Sequence, residues 1–125
     1  MKKIIKTMDA AQPVGPYNQA VQVDNMLYVS GQIPLDPKTG ELVKGDVQEQ
    51  TRVVMENMRA ILKAAGMDFS NVIKCNIFIT DMNEFPKLNE VYGSYFKEDP
   101  PARETIQVGA LPKFVDVEIS CIAAE

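Results

Sequence analysis

The chain has 125 residues, 46% of them apolar and 24% charged, enough for one domain with an ordinary buried core. Its formal charge of −4 and sequence pI of about 4.9, with no block of Lys and Arg, argue against nucleic-acid binding by phosphate neutralisation. Histidine is absent, which removes the commonest general base and metal ligand and leaves acid–base work to Asp, Glu, Lys, Tyr, Cys or water.

The N-terminal Met1-Lys2-Lys3-Ile4-Ile5-Lys6 is basic but has no apolar run of signal-peptide length, and no later stretch reaches membrane-span length. The expectation is a cytoplasmic protein. Residues 2–6 read as a short edge strand. Residues 12–16, Gln-Pro-Val-Gly-Pro, form a turn-rich link that cannot be helical. Strands are predicted at 17–23 and 26–33, with Asp24-Asn25 as a two-residue hairpin turn. Ser30-Gly31-Gln32 interrupts the second apolar run. A β-bulge and a gap for a ligand account for it equally well.

Residues 36–40 form a surface turn with Pro37 and Gly40 where turn geometry wants them. Asp46 and Glu49 have capping-box spacing. Behind them Val47, Val54, Met58, Ile61, Leu62 and Ala65 recur at helical spacing until Gly66 closes the helix. Residues 71–80 read as a strand with Ile73, Cys75, Ile77 and Ile79 on one face. A second helix follows at about 84–97, with Pro86 in its first turn and Phe85, Leu88, Tyr92, Tyr95 and Phe96 as its buried stripe. Asn89 lies beside that stripe, so partial burial and a hydrogen-bond partner are expected. Cys75 and Cys121 read as buried, reduced thiols.

The C-terminal third is read as two extended segments, 102–110 and 114–123, joined by a short turn at Leu111-Pro112-Lys113. Strand alternation puts Arg103, Thr105 and Gln107 on one face, away from Ile106, Val108 and Ala110. In the second segment Val115, Val117, Ile119 and Cys121 form the apolar face, with Glu118 opposite. One permanent cation and one carboxylate on neighbouring half-buried strands could converge on a small polar ligand. Structural ion pairs are commoner than sites, so the two strands alone favour the ion pair. Alternating strands and helices predict an α+β sandwich, with two helices on one face of a mixed sheet. So short a chain has no third layer for the other face, which makes self-association the physical expectation.

Gly15-Pro16-Tyr17, Ser30-Gly31-Gln32-Ile33-Pro34, Asn89 within Leu88-Asn89-Glu90-Val91-Tyr92, Pro101-Ala102-Arg103, and Leu111-Pro112 followed by Val117-Glu118-Ile119 occur in that order. Jointly they resemble the RidA family, the reactive intermediate deaminases also called YjgF proteins or "L-PSP endoribonucleases". The likeness runs from about residue 12 to the C-terminus, within a single RidA-like domain over 1–125. It implies a chorismate-mutase-like (bacillus type) fold and a homotrimer with a central barrel of sheets and clefts between subunits. The implied activity is hydrolysis of 2-imino acids and their enamine tautomers, such as 2-iminobutanoate and 2-iminopropanoate, to 2-oxo acids and ammonia. Those substrates leave pyridoxal-phosphate-dependent dehydratases acting on threonine or serine. The resemblance implies no cofactor and no metal.

By the same resemblance Arg103 clamps the substrate carboxylate, which suits a planar, bidentate guanidinium. Glu118 activates the attacking water. Tyr17, Ser30 and Asn89 line the cleft and orient imine and water, and main chain approaches the ligand at Gly31. Thr105 stands where the family often has cysteine, as a bulkier donor. Glu104 stands where a small residue is usual, and alternation turns it away from Arg103, toward the surface or a partner subunit. The resemblance reverses the preference for a mere ion pair between Arg103 and Glu118. Two other readings remain: a trimer that binds small carboxylates or unfolded clients without turnover, and RNA cleavage, which an acidic chain without histidine or a basic stripe disfavours.

Overall fold

The computed structural model describes residues 1–125, and its single mixed sheet has six strands. In chain order these are β1 (Lys2–Ile5), β2 (Ala20–Val23), β3 (Met26–Gln32), β4 (Val72–Ile79), β5 (Ala102–Gln107) and β6 (Val117–Ala124). The helices are α1 (Val47–Ala64) and α2 (Phe85–Gly93). The spatial order is β1-β2-β3-β6-β4-β5. All neighbours are antiparallel except β4 and β5, which run parallel because α2 carries the chain back between them. Neither helix is long and apolar enough to cross a membrane.

Local chemistry explains most boundaries. The Asp46 carboxylate accepts from the Glu49 N–H at 2.9 Å and starts α1. At the other end Gly66 adopts φ +74°, with Gly66 N–H donating to Lys63 O and Met67 N–H to Leu62 O, both at 2.9 Å. This is a Schellman closure, and it needs the left-handed conformation that glycine supplies without strain. Val54, Met55, Met58, Ile61 and Leu62 of α1 are wholly buried against the sheet. Along β6, Val117, Ile119, Cys121 and Ala123 are buried beneath the helices while Glu118, Ser120, Ile122 and Ala124 are half-buried on the far face. Each large aliphatic side chain so buried contributes about 1.5–3 kcal/mol.

Several predicted elements differ from those observed. The strand predicted from residue 17 begins at Ala20, because Tyr17 N–H bonds back to Gly15 O at 2.9 Å and curls the link. Ile73 is exposed, not inward-facing: an extra residue between Val72 and Lys74 in the pairing with β6 turns it out and gives Val72 the buried place. The second helix ends at Gly93 instead of 97. Its chain tightens into three-residue turns there, with Ser94, Tyr95 and Phe96 N–H donating to Val91, Tyr92 and Gly93 O. The two C-terminal segments are not adjacent strands, since β4 lies between β5 and β6. Residues 112–114 form a short helical turn in which Lys113 and Phe114 both have positive φ, 56° and 57°, which delays β6 to Val117. Cys75 and Cys121 are buried free thiols, as expected, and prove to be directly paired across β4 and β6.

The sheet face away from the helices carries Tyr28, Phe78, Glu118 and Ile122, exposed or half-buried.

Candidate functional site

The motif residues collect in two places. The first is built on the bulge in β3. Pairing with β6 skips between Val29 and Gln32, so Ser30 and Gly31 stand opposite a single residue. The interruption in the apolar run is therefore a bulge, and it brings main chain against Glu118. A Cβ at Gly31 would lie 2.8 Å from Glu118 Cδ and against Oε2, so only glycine lets the carboxylate rest there. Burial raises the Glu118 carboxyl above its ordinary value, without a compensating hydrogen bond or cation.

Ser30 secures the link that carries Tyr17. Its hydroxyl donates to Asn18 O at 2.6 Å, and its N–H donates to Gln19 O at 3.0 Å. The Tyr17 hydroxyl accepts from the Val14 N–H at 3.2 Å, and a narrow crevice runs between Tyr17, Gly31 and Ile33. Two buried amides hold this region from below. Gln19 donates to Thr7 O and Ala11 O at 3.1 and 2.9 Å and accepts from the Thr7 N–H at 2.8 Å. Asn57 accepts from the Ala11 N–H at 3.1 Å and donates to Leu35 O at 2.9 Å. Neither was among the predicted site residues. For Asn57 the signal was present: it falls three residues after Val54 and four before Ile61, on the apolar stripe of α1.

The second place is the rim between β5 and α2. Arg103 pairs in register with Cys75 on the helix-covered face. Its Nη1 donates to Asn89 Oδ1 at 2.6 Å. Its guanidinium carbon lies 5.1 Å from the Phe85 ring centre and 5.2 Å from that of Tyr92. None of the chain's ion pairs involves Arg103. A cleft of about 380 Å³ opens beside it, lined by Asn89, Tyr92, Phe96, Pro101 and Arg103. Asn89 is exposed instead of partly buried, and Arg103 is its partner. Thr105 follows Arg103 on the same strand face, half-buried. Glu104 points the other way and pairs with Lys74 Nζ at 3.2 Å, so it does not compete for Arg103. The Tyr92 hydroxyl is buried with no hydrogen-bond partner. Burial holds it far above the ordinary phenol range, so it stays neutral.

Within one chain these two places do not meet. Strand β4 separates β5 from β6, two strand spacings or about 10 Å, and Arg103 and Glu118 lie on opposite faces of the sheet. The neighbouring-strand geometry expected from the sequence is thus replaced by two half-sites. Neither coincides with the largest cleft, about 590 Å³ between Arg59, Lys63, Phe69 and Tyr95, which holds no motif residue. No cluster of three or more Cys, Asp or Glu side chains is arranged to hold a metal ion.

The chain is similar to known proteins over nearly its whole length. The family model described as Endoribonuclease L-PSP matches residues 7–125. A RutC family protein of Pyrococcus horikoshii is 54% identical over 123 residues, 98% of each chain. The 2-iminobutanoate/2-iminopropanoate deaminase of Mus musculus is 48% identical over 125 residues, 100% of this chain and 93% of the relative. Among solved structures, Escherichia coli TdcF with bound serine superposes with a TM-score of 0.94 at 46% identity, covering 98% of both chains.

Proposed function

Because the chain belongs to the Endoribonuclease L-PSP family, the RidA or YjgF proteins, we propose that it hydrolyses 2-imino acids and their enamine tautomers to 2-oxo acids and ammonia. The observation that carries this reading is an arginine with no carboxylate partner, stacked and hydrogen-bonded at the mouth of a cleft. A guanidinium so held is poised for a small carboxylate. The deaminase relatives, matched over the whole of this chain, support the substrate class by their names: 2-iminobutanoate and 2-iminopropanoate. In this reading such imines reach the protein from pyridoxal-phosphate-dependent dehydratases in the cytoplasm.

The chemistry asks little of the protein. An imine carbon is already electrophilic, so orientation, a placed water and proton transfer suffice. Arg103 holds the carboxylate and Glu118 takes a proton from water. The hydroxide oxygen bonds to the imine carbon as the C=N π pair moves to nitrogen, which takes the proton back from Glu118 to give a carbinolamine. Glu118 then moves the hydroxyl proton to nitrogen as the C–N bond breaks, leaving ammonia and a 2-oxo acid. A Glu carboxyl raised by burial is a better base than an ordinary one. Tyr17, Ser30, Gly31, Asn89 and Thr105 line the pocket.

The two half-sites join between subunits in this reading, Arg103 of one copy facing Glu118 of another in a homotrimer. The apolar side chains on the open sheet face, Tyr28, Phe78 and Ile122, favour such an assembly, with those faces turned inward as the central barrel of a chorismate-mutase-like trimer. The test couples the protein to threonine dehydratase and threonine and traps residual imine with semicarbazide. The wild-type chain lowers the trapped product and Arg103→Ala does not; equal trapping with and without the wild type overturns the proposal. A second reading, carboxylate binding without turnover, is favoured by the bound serine in the TdcF relative. It requires Glu118→Gln to keep full function.

A further inference from the structure

We infer that Phe85, Asn89 and Tyr92 form a preset cradle that aims Arg103, and that they act on the substrate carboxylate only through its guanidinium. This rests on the carboxylate-clamp reading of Arg103 above. The three cradle residues stand at i, i+4 and i+7 along the start of α2, which puts them in one row on one helix face. Arg103 reaches them from the edge strand β5, with both ring centres at 5.1–5.2 Å from its Cζ and Asn89 Oδ1 at 2.6 Å from Nη1.

Each contact removes a different freedom. A guanidinium is planar and weakly hydrated, so it can lie against aromatic rings without losing its in-plane donors. The rings limit where the plane can swing, and Asn89 limits rotation within it. Arginine has donors only, so the Asn89 atom facing it is the carbonyl oxygen whichever way the amide is drawn. That oxygen is therefore committed to Arg103 and not free to accept from an imine or a water along the same direction. An amide also holds the cation without neutralising it. A carboxylate at the same position would form an ion pair with Arg103 and shut out the substrate's own carboxylate.

The role assigned to Asn89 thereby changes from lining residue to positioning residue, and Phe85 joins the site although no motif singled it out. The carboxylate sits next to the reacting carbon but keeps its own charge and bonds through the reaction, so loss of the clamp falls mainly on KM.

The experiment measures 2-oxobutanoate affinity by calorimetry and imine hydrolysis by trapping, on the assembled full-length protein. Phe85→Leu, which keeps bulk and removes the ring, weakens 2-oxobutanoate about threefold to fivefold, the usual worth of one exposed cation–π contact. Phe85→Trp recovers that loss. Asn89→Asp weakens it by roughly tenfold or more through the new charged pair, and by more than Asn89→Ala does. Asn89 is exposed, so its variants keep the fold even if Phe85→Leu does not. Affinity within twofold of wild type in Phe85→Leu, or Asn89→Asp binding no worse than Asn89→Ala, overturns the cradle. Should the wild type bind 2-oxobutanoate but hydrolyse no imine while the variant series holds, the deaminase reading falls and the cradle stands.

Discussion

Glu118 and Arg103 occupy opposite kinds of position. Glu118 lies on β6, hydrogen-bonded on both sides by β3 and β4, and its carboxylate rests over the β3 bulge. Arg103 lies on the edge strand β5, paired only with β4, and owes its direction to side chains from α2. The carboxylate is thus placed by backbone and the guanidinium by side chains. Backbone placement leaves little slack but depends on the whole sheet and the loops tied to it. Side-chain placement adapts to an arriving ligand at the cost of more conformers to restrain.

The largest expected effect comes from violating the backbone half. Gly31→Ala drives the Glu118 carboxylate from its seat, since the new Cβ would lie 2.8 Å from Cδ, and lowers kcat by about a hundredfold, the scale of a displaced general base. The melting temperature shifts little, because the group in the way is the end of a side chain. Unimpaired turnover in that variant would mean that Glu118 acts from elsewhere.

Next comes the scaffold under the same half. Asn57→Ala strands a buried N–H of Ala11 and a buried carbonyl of Leu35, costing roughly 2–4 kcal/mol. Urea titration reads it as a lower midpoint with an unchanged slope. A loss below about 1 kcal/mol would mean that the amide is dispensable and the link carrying Tyr17 is held some other way.

The pH response separates the halves further. Glu118 is raised by burial, so kcat/KM falls with acidification from a pH above the ordinary Glu value of about 4.3. Stability moves in the other direction. Between the unfolded value and the raised folded one, the folded chain holds more protons than the unfolded chain, so stability declines as pH rises through that window. Glu118→Gln flattens both profiles, and an unchanged pH–rate profile in that variant assigns the base to another group. A guanidinium does not titrate in this range, so a carboxylate clamp made of one predicts a flat substrate affinity over it.

The smallest effect tests strand alternation on β5. Glu104→Ala removes the exposed pair with Lys74, costs under about 1 kcal/mol, and leaves kcat/KM unchanged. A tenfold change in kcat/KM would place Glu104 against the substrate and break the assignment of faces.

Much of this was legible in the chain. Asp46, Gly66 and Asp24-Asn25 marked element ends through local hydrogen bonding and backbone preference, and α1 and β6 showed their periodicity plainly. Alternation on β5 correctly parted Arg103 from Glu104. Ile73 was misread because a bulge shifts alternation by one residue, and nothing in Val72-Ile73-Lys74 announces the extra residue. The α2 stripe was read too far because Tyr95 and Phe96 are apolar at helical spacing. They pack instead, half-buried, against Phe69, whose ring centre lies 5.2 and 5.5 Å from theirs.

Periodicity and turn chemistry act between residues close in sequence, so the chain alone gave the kind and rough place of each strand and helix and, bulges apart, its apolar side. Strand order is a long-range choice. Inserting β6 between β3 and β4 joins segments roughly forty to a hundred residues apart, and no local preference encodes it. Only the folded sheet decided that Arg103 and Glu118 stand on opposite faces with β4 between them, and that Phe85, Asn89 and Tyr92 gather around the arginine.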